Sequence, residues 1–249
     1  MRWLRSKELG LCLGLWLPGV AAAAPQTKTV LDGVYTTAQA KRGQAGYESK
    51  CASCHRADLS GFSGPPLKGA LFMDRWREFK LNVLFDLIKT TMPADNPGGM
   101  SAAAYLDIQA YILQANDIPA GSKELTAQVP PVTLLVGKDG PKPLPSSSQV
   151  EVVGCLTEDS GNGWFLTKAR EPIRTLNPWE MSAAELKDAK ALPLGDQLFR
   201  LENLSEVAGF QPDFMAGNKV DAKGILVRQP KNERINVSSL RAVAATCDE

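Results

Sequence analysis

The segment CASCH at residues 51–55 constrains this chain more than any other feature of its sequence. Two thiols, Cys51 and Cys54, lie three positions apart and are followed at once by His55, the only histidine in 249 residues. This order of side chains is the attachment pattern of a c-type haem, in which both thiols bond to haem vinyl groups and the histidine binds the iron. The motif therefore predicts one covalently held haem c.

Two other uses of a C-x-x-C pair fit this sequence less well. A zinc site needs four ligands with local pairing, and the chain has one histidine and no second C-x-x-C pair. A redox-active dithiol of the thioredoxin kind follows a strand and begins a helix, whereas a predicted helix precedes Cys51. Both alternatives lack a part that their chemistry requires.

The single histidine also restricts the second axial ligand of the iron. Two histidine ligands are impossible within one chain, so the sixth position is filled by methionine or left open. Met92 lies in the loop TTMPADNPG, which Pro93 stiffens, and we favour it as the ligand, with Met100 as the fallback. The alternative is a loop methionine that only packs on the edge of the haem.

Residues 1–24 differ sharply from the rest of the chain. Three basic residues precede the apolar run LGLCLGLWLPGVAAAA, which is the pattern of a secretory signal peptide, with cleavage favoured after Ala23. A retained membrane anchor is the alternative, but the run is short of the ~20 residues that a spanning helix needs, and Pro18 interrupts it. The sequence thus predicts export to the bacterial periplasm, which agrees with haem attachment outside the cytoplasm.

Export decides the fate of the remaining cysteines. Cys12 leaves with the signal peptide and two cysteines go to the haem, so Cys155 and Cys247 remain of the five. An oxidising compartment makes a disulfide between them the expected outcome. Two buried free thiols are the alternative.

The first half of the mature chain has helical patterns separated by segments rich in glycine and proline. Apolar residues recur at helical spacing over residues 36–51 and 81–88, and Ser101 is a candidate N-cap for a helix that ends near Asn116. These features predict an all-α domain over residues 34–117.

The second half changes character twice. Residues 118–149 are rich in proline and serine without a helical period, which predicts a linker. From residue 150 to 249, five short runs mix β-branched or aromatic residues with polar ones, and one short helix is expected after Ser182. The fold class predicted is therefore multi-domain, an all-α haem domain followed by a small all-β barrel domain of OB-like plan.

Charge excludes one class of partner. The net charge is +1, and the predicted β domain has no basic stripe with interleaved aromatic residues, so nucleic acid is not an expected ligand. A docking or structural role fits this domain better.

Residues 34–125 resemble a class I cytochrome c domain of the kind associated with periplasmic quinoprotein dehydrogenases. The resemblance is carried by CASCH, GPPL, TMPADNPGGMS and AYILQAN. It implies that the carbonyl of Pro65 accepts a hydrogen bond from His55, and that Leu67 packs on the haem face. It also implies that Trp76 lies near a haem propionate, although plain core packing is an equal alternative.

Two further implications concern packing and charge. The resemblance places Gly43 against Tyr111 where the first and last helices cross. Many relatives have glycine directly after C-x-x-C-H, where this chain has Arg56. That cation either steers an acidic partner or is a solvated charge, and we favour the second.

The function expected is that of an exported single-haem electron carrier, not an enzyme by itself. Histidine–methionine ligation leaves no iron position for a substrate. The resemblance implies periplasmic redox partners: a quinoprotein dehydrogenase as donor, and a terminal oxidase or another cytochrome as acceptor. The alternatives are a haem enzyme or gas sensor with an open sixth position, or a β-domain binding module with a redox tail.

Overall fold

The structure is a computed structural model that describes residues 28–127, 133–159, 161 and 163–247. The predicted signal peptide lies outside these residues. The helices are α1 (Thr37–Lys50), α2 (Ala52–His55), α3 (Ala70–Trp76), α4 (Leu81–Thr91), α5 (Ala102–Ala115), α6 (Ala183–Ala191) and α7 (Pro212–Met215). The strands are β1 (Lys28–Thr29), β2 (Thr133–Leu134), β3 (Gln149–Asp159), β4 (Gly163–Ala169), β5 (Ile173–Arg174), β6 (Gln197–Glu202), β7 (Lys219–Val227) and β8 (Arg234–Ala244).

The two long helices α1 and α5 begin at side-chain caps. The hydroxyl of Thr36 accepts a hydrogen bond from the backbone N–H of Gln39 at 3.1 Å, and the hydroxyl of Ser101 accepts one from that of Ala104 at 3.2 Å. Each cap satisfies an N–H group that has no partner within the helix. The predicted cap at Ser101 is therefore present.

The crossing of α1 and α5 depends on Gly43. A Cβ atom at Gly43 would lie 1.7 Å from the carbonyl oxygen of Asp107, so the two backbones are in direct contact there. Tyr111 lies further along α5 and packs on the ring of Tyr47, with centroids 5.3 Å apart. The expected close crossing is present, but the partner of Gly43 is the Asp107 backbone.

The strands after residue 148 form one sheet region. Strand β3 pairs antiparallel with β4, β5 and β7. Strand β6 pairs antiparallel with β4 and parallel with β8, and β8 pairs antiparallel with β7. The pairings can thus be followed from β3 through β4, β6, β8 and β7 back to β3.

All five runs predicted as strands are strands in this region, and the short β5 is added to them. The helix expected after Ser182 is α6. It begins with a capping box in which Ser182 and Glu185 each bond to the other's backbone N–H, at 3.2 and 2.7 Å.

Two apolar cores follow from the alternation of side chains along the strands. One face of the sheet encloses its own core, with Phe199 and Leu166 fully buried. Apolar residues outside that core, among them Val153 and Ile173, belong instead to the core of the helical part. The sheet region and the helical part are therefore packed together through buried side chains.

The described part of the predicted linker, residues 118–149, is hydrogen-bonded to the helical part of the chain and contains buried residues. Strand β2 pairs in parallel with β1, the N–H of Leu135 bonds to the carbonyl of Phe79 at 2.8 Å, and the N–H of Glu78 bonds to the carbonyl of Leu135 at 2.8 Å. Leu135 and Val136 are buried. The physical reason is the short apolar run TLLV at residues 133–136, whose burial outweighs the proline-rich composition around it.

A buried ion pair joins the helical part to the sheet. The Nζ atom of Lys80, directly before α4, lies 2.6 Å from an Oε atom of Glu151 on β3, and both side chains are about 5% exposed or less. Beside this pair, Asp221 on β7 is fully buried. A disulfide between Cys155 and Cys247 joins β3 to the chain beyond β8.

Among the residues described, no helix combines the length and the apolar character needed to cross a membrane.

Candidate cofactor site

A cavity of about 820 Å³ lies within the helical part of the chain. Every residue predicted to bind or contact a haem lines this cavity, and so does the fallback ligand: Cys51, Cys54, His55, Pro65, Leu67, Trp76, Met92 and Met100. Residues far apart in the sequence are thus brought to one space.

The end of α1 presents the C-x-x-C-H motif to the cavity. The N–H of Cys51 bonds to the carbonyl of Tyr47 at 2.8 Å at the end of α1, after which the single turn α2 carries the motif. The N–H of His55 bonds back to the carbonyl of Cys51 at 2.9 Å. One helical turn therefore holds both thiols and the imidazole in a fixed arrangement.

The backbone of Arg56, the residue directly after the motif, has a conformation that favours glycine. Arg56 has a φ of 61°, a value that disfavours side chains with a Cβ atom. The hydroxyl of Tyr47 donates to the Arg56 carbonyl at 2.7 Å, and the Arg56 guanidinium lies 5.4 Å from the ring centroid of Phe62. Arg56 thus packs on an aromatic ring at the surface.

The imidazole of His55 is held in one orientation. Its Nδ1 lies 2.7 Å from the carbonyl oxygen of Pro65, and since a carbonyl can only accept, Nδ1 carries the proton. The other nitrogen, Nε2, then has a free lone pair of the kind that binds a metal. Only 6% of the residue is exposed.

Gly64 makes room for this ring. A Cβ atom at Gly64 would lie 2.5 Å from Cε1 of His55 and 2.9 Å from Nε2. The N–H of Gly64 also bonds to the carbonyl of Cys54 at 3.0 Å, so the loop cannot easily move away. The glycine and the proline that follow it together fix the ring.

The two thiols differ in their surroundings. Burial, with a smaller contribution from Cys54, raises the pKa of the Cys51 thiol to about 11. Cys54 is exposed, and neither thiol is in a disulfide. Cys51 is therefore a protonated thiol at neutral pH when no cofactor is attached.

The remaining walls are mostly apolar. Helix α4 contributes Leu84 and Ile88, and helix α5 contributes Ile108 and Ile112. Trp76 is 4% exposed and packs edge-on against Phe79, with ring centroids 5.7 Å apart.

Two side chains that support the site were not among the site residues predicted from the sequence. The amide of Asn116, at the end of α5, donates to the carbonyl of Leu67 at 3.0 Å and accepts from the N–H of Gly69 at 2.9 Å. The hydroxyl of Tyr105 donates to the carbonyl of Met92 at 2.7 Å. Both bonds connect α5 to loops that line the cavity.

These residues fit a haem. The walls suit a flat apolar ring, and the cavity is lined by a histidine whose Nδ1 is already hydrogen-bonded, by two methionines and by two cysteines. Imidazole and thioether are the axial ligands of c-type cytochromes.

A methyl group at residue 64 should disturb the imidazole directly. We expect Gly64→Ala to lower the yield of haem-loaded protein about tenfold, because losing the support of a ligating histidine typically weakens metal sites by that factor or more. The measurement is haem absorbance per mole of purified polypeptide. Gly46→Ala is the matched control, since the nearest atom to its added Cβ is a side-chain carbon of Ile108 at 3.3 Å, and a yield equally reduced in both variants would contradict the argument.

A family model matches the part of the chain that forms this site. Residues 38–112 match the family described as "Cytochrome C oxidase, cbb3-type, subunit III". The solved structure of the sulfane dehydrogenase SoxCD from Paracoccus pantotrophus is 23% identical over 41% of this chain and 61% of that chain, with a TM-score of 0.29. No curated protein matches the chain. The family match lies wholly within the helical part of the chain, where residues 38–112 are a cytochrome c domain. A cytochrome c domain implies haem c as the cofactor. A sheet-rich region follows this domain.

Proposed function

We propose that this protein carries electrons as a single-haem c-type cytochrome, with the haem attached covalently to Cys51 and Cys54. His55 and Met92 would be the axial ligands, with Met100 as the fallback for the second. The observation that carries the proposal is the fixed Nδ1-protonated His55 on the same cavity as Met92. When bound, the haem supplies reversible one-electron transfer.

The chain's own residues have a limited set of tasks in this function. Pro65 and Gly64 orient the imidazole, and apolar side chains of α4 and α5 keep water away from the ring. Leu67 would pack on the haem face and Trp76 beside it. Two protein ligands leave no iron position for a substrate, which supports a carrier over an enzyme.

The partners and the location follow from the same proposal. The carrier would work in the bacterial periplasm after removal of residues 1–24. Its electrons would come from a dehydrogenase, of which it could be the cytochrome subunit, and would pass to a terminal oxidase or another cytochrome. Contact would be brief and would involve the edge of the haem nearest the surface.

The sheet region, residues 150–249, would be an OB-like barrel with a docking or structural role. The circuit of strand pairings from β3 back to β3, with β6 and β8 parallel, supports a closed barrel. The division proposed is a haem domain over residues 34–117, a connecting segment over 118–149 and this barrel.

Visible spectra test the ligand assignment. We expect the oxidised protein to have the weak far-red charge-transfer band of methionine sulfur on ferric haem, and we expect Met92→Ala to abolish it. Met100→Ala should retain the band, which makes it the matched control because both side chains line the cavity. A wild-type protein without the band, whose reduced form binds carbon monoxide readily, would have an open sixth position and would favour a haem enzyme or gas sensor.

A further inference from the structure

Two methionines line the cavity, but their backbones are held differently. The N–H of Met92 bonds to the carbonyl of Ile88 at 2.9 Å, and its carbonyl accepts the hydroxyl of Tyr105 at 2.7 Å. Within the described part of the chain, Met100 has no backbone hydrogen bond at all. The position of one sulfur is therefore fixed through its backbone on both sides, while that of the other is not.

Tyr105 is well suited to hold a loop in place. It is fully buried in the second turn of α5, and its hydroxyl has Met92 as its hydrogen-bond partner. A buried hydroxyl left without a partner is costly, so this bond is strongly favoured.

Helix α5 is itself a fixed platform. Its backbone touches α1 at Gly43, and the buried amide of Gln109 donates to the carbonyl of Leu81 at 3.0 Å, at the start of α4. Helix α4 is thus tied to α5 at its first residue through Gln109 and just past its last residue through Tyr105. The end of α4, where Met92 lies, has little freedom to retreat from the cavity.

We propose that Tyr105 is a positioning residue that makes Met92, not Met100, the sulfur ligand of the iron. The proposal rests on the function proposed above. Tyr105 acts through the backbone of Met92 and does not itself touch the iron. Without its hydroxyl, the loop over residues 92–100 gains freedom, and the Met92 sulfur leaves the iron more readily.

The test compares two tyrosine-to-phenylalanine variants on the same helix. Tyr105→Phe removes the hydroxyl bonded to Met92, whereas Tyr111→Phe removes a hydroxyl that has no hydrogen bond within the described residues. Ferric protein is titrated with imidazole, which displaces a methionine ligand, and the far-red band is followed. We expect Tyr105→Phe to bind imidazole about tenfold more tightly than wild type, or about 1.4 kcal/mol, and Tyr111→Phe to change it less than twofold.

The possible outcomes distinguish the role of Tyr105 from the proposal that Met92 is the iron ligand. Equal imidazole affinity in both variants and wild type would overturn the role of Tyr105 while leaving Met92 as the ligand. A wild-type protein without the band would overturn both. A second measurement needs only the wild-type protein. In its NMR spectra the hydroxyl proton of Tyr105 should exchange slowly with water, and fast exchange would overturn the proposal.

Discussion

Gly43→Ala is expected to destabilise the protein by about 3 kcal/mol or more. The added Cβ atom would lie 1.7 Å from the carbonyl oxygen of Asp107 and 2.3 Å from its carbonyl carbon. Both obstructing atoms are backbone atoms of α5, so no rotamer change can make room, and the helices must separate. Because α5 also holds Tyr105 and Asn116, the cavity should be disturbed as well.

Gly46→Ala is the matched control for this prediction. It lies in the same helix, and the nearest atom to its added Cβ is a side-chain carbon of Ile108 at 3.3 Å. The gain in helix propensity, about 1 kcal/mol for glycine to alanine, should offset the small adjustment of that side chain. The measurement is urea unfolding followed by far-UV circular dichroism, and similar midpoints for both variants would contradict the close crossing.

The helical half was largely predictable because its signals are local. The N-cap at Ser101, the helical spacing over residues 36–51 and the C-x-x-C-H motif each lie within one short window of sequence. Helix α3 was not predicted, since it follows a loop rich in glycine and proline and its seven residues are too few to show a clear period. Its burial of Phe72 and Trp76 comes from tertiary packing.

The segment of residues 118–149, between the helical part and the sheet region, has a structure that local sequence signals did not predict. Its proline and serine content predicts a linker, yet the run TLLV within it is held by the backbone of residues 78–80. Four residues are too few for a reliable period, and their partners, Phe79 and Lys28, are distant in the sequence. Such pairing is visible only once the fold has formed.

In the candidate site, too, residues in local motifs were predictable from the sequence, whereas residues that act through distant contacts were not. Cys51, Cys54 and His55 follow from their spacing, and Pro65 follows only from a family resemblance. The roles of Tyr105 and Asn116 depend on hydrogen bonds to backbone groups 13 and 49 residues away. A buried tyrosine on the core face of a helix gives no sign in the sequence of which carbonyl it will meet.

Asp221 should make the free energy of unfolding depend on pH, and replacing this one residue should remove that dependence. Both of its carboxyl oxygens are buried and lack a hydrogen-bond partner among the described residues. The charged groups around it are Glu151 on β3, Lys80 before α4, Lys223 on the same strand and Glu185 on α6. Two cations and two anions already balance, so an ionised Asp221 would be an uncompensated buried charge.

The proton of Asp221 then links stability to pH. Burial, reinforced by the charge of Glu151, raises the pKa of this carboxyl well above its ordinary value. The unfolded chain releases the proton near its ordinary pKa of about 3.9, whereas the folded protein keeps it. Between these two pKa values the folded state binds one more proton, so the free energy of unfolding falls by about 1.4 kcal/mol per pH unit as the pH rises.

Asp221→Asn keeps the shape of the protonated side chain and cannot ionise. We expect the variant to match wild type at pH 4 and to become progressively more stable than wild type as the pH rises above the ordinary pKa of the carboxyl, measured by urea unfolding at a series of pH values. The control is Asp196→Asn, the same substitution at an exposed position of the sheet region, whose difference from wild type should stay nearly constant. Parallel profiles for wild type and Asp221→Asn would mean that water or a cation reaches the carboxylate, and that the junction between the sheet and the helices is less tightly closed than its buried Lys80–Glu151 pair indicates.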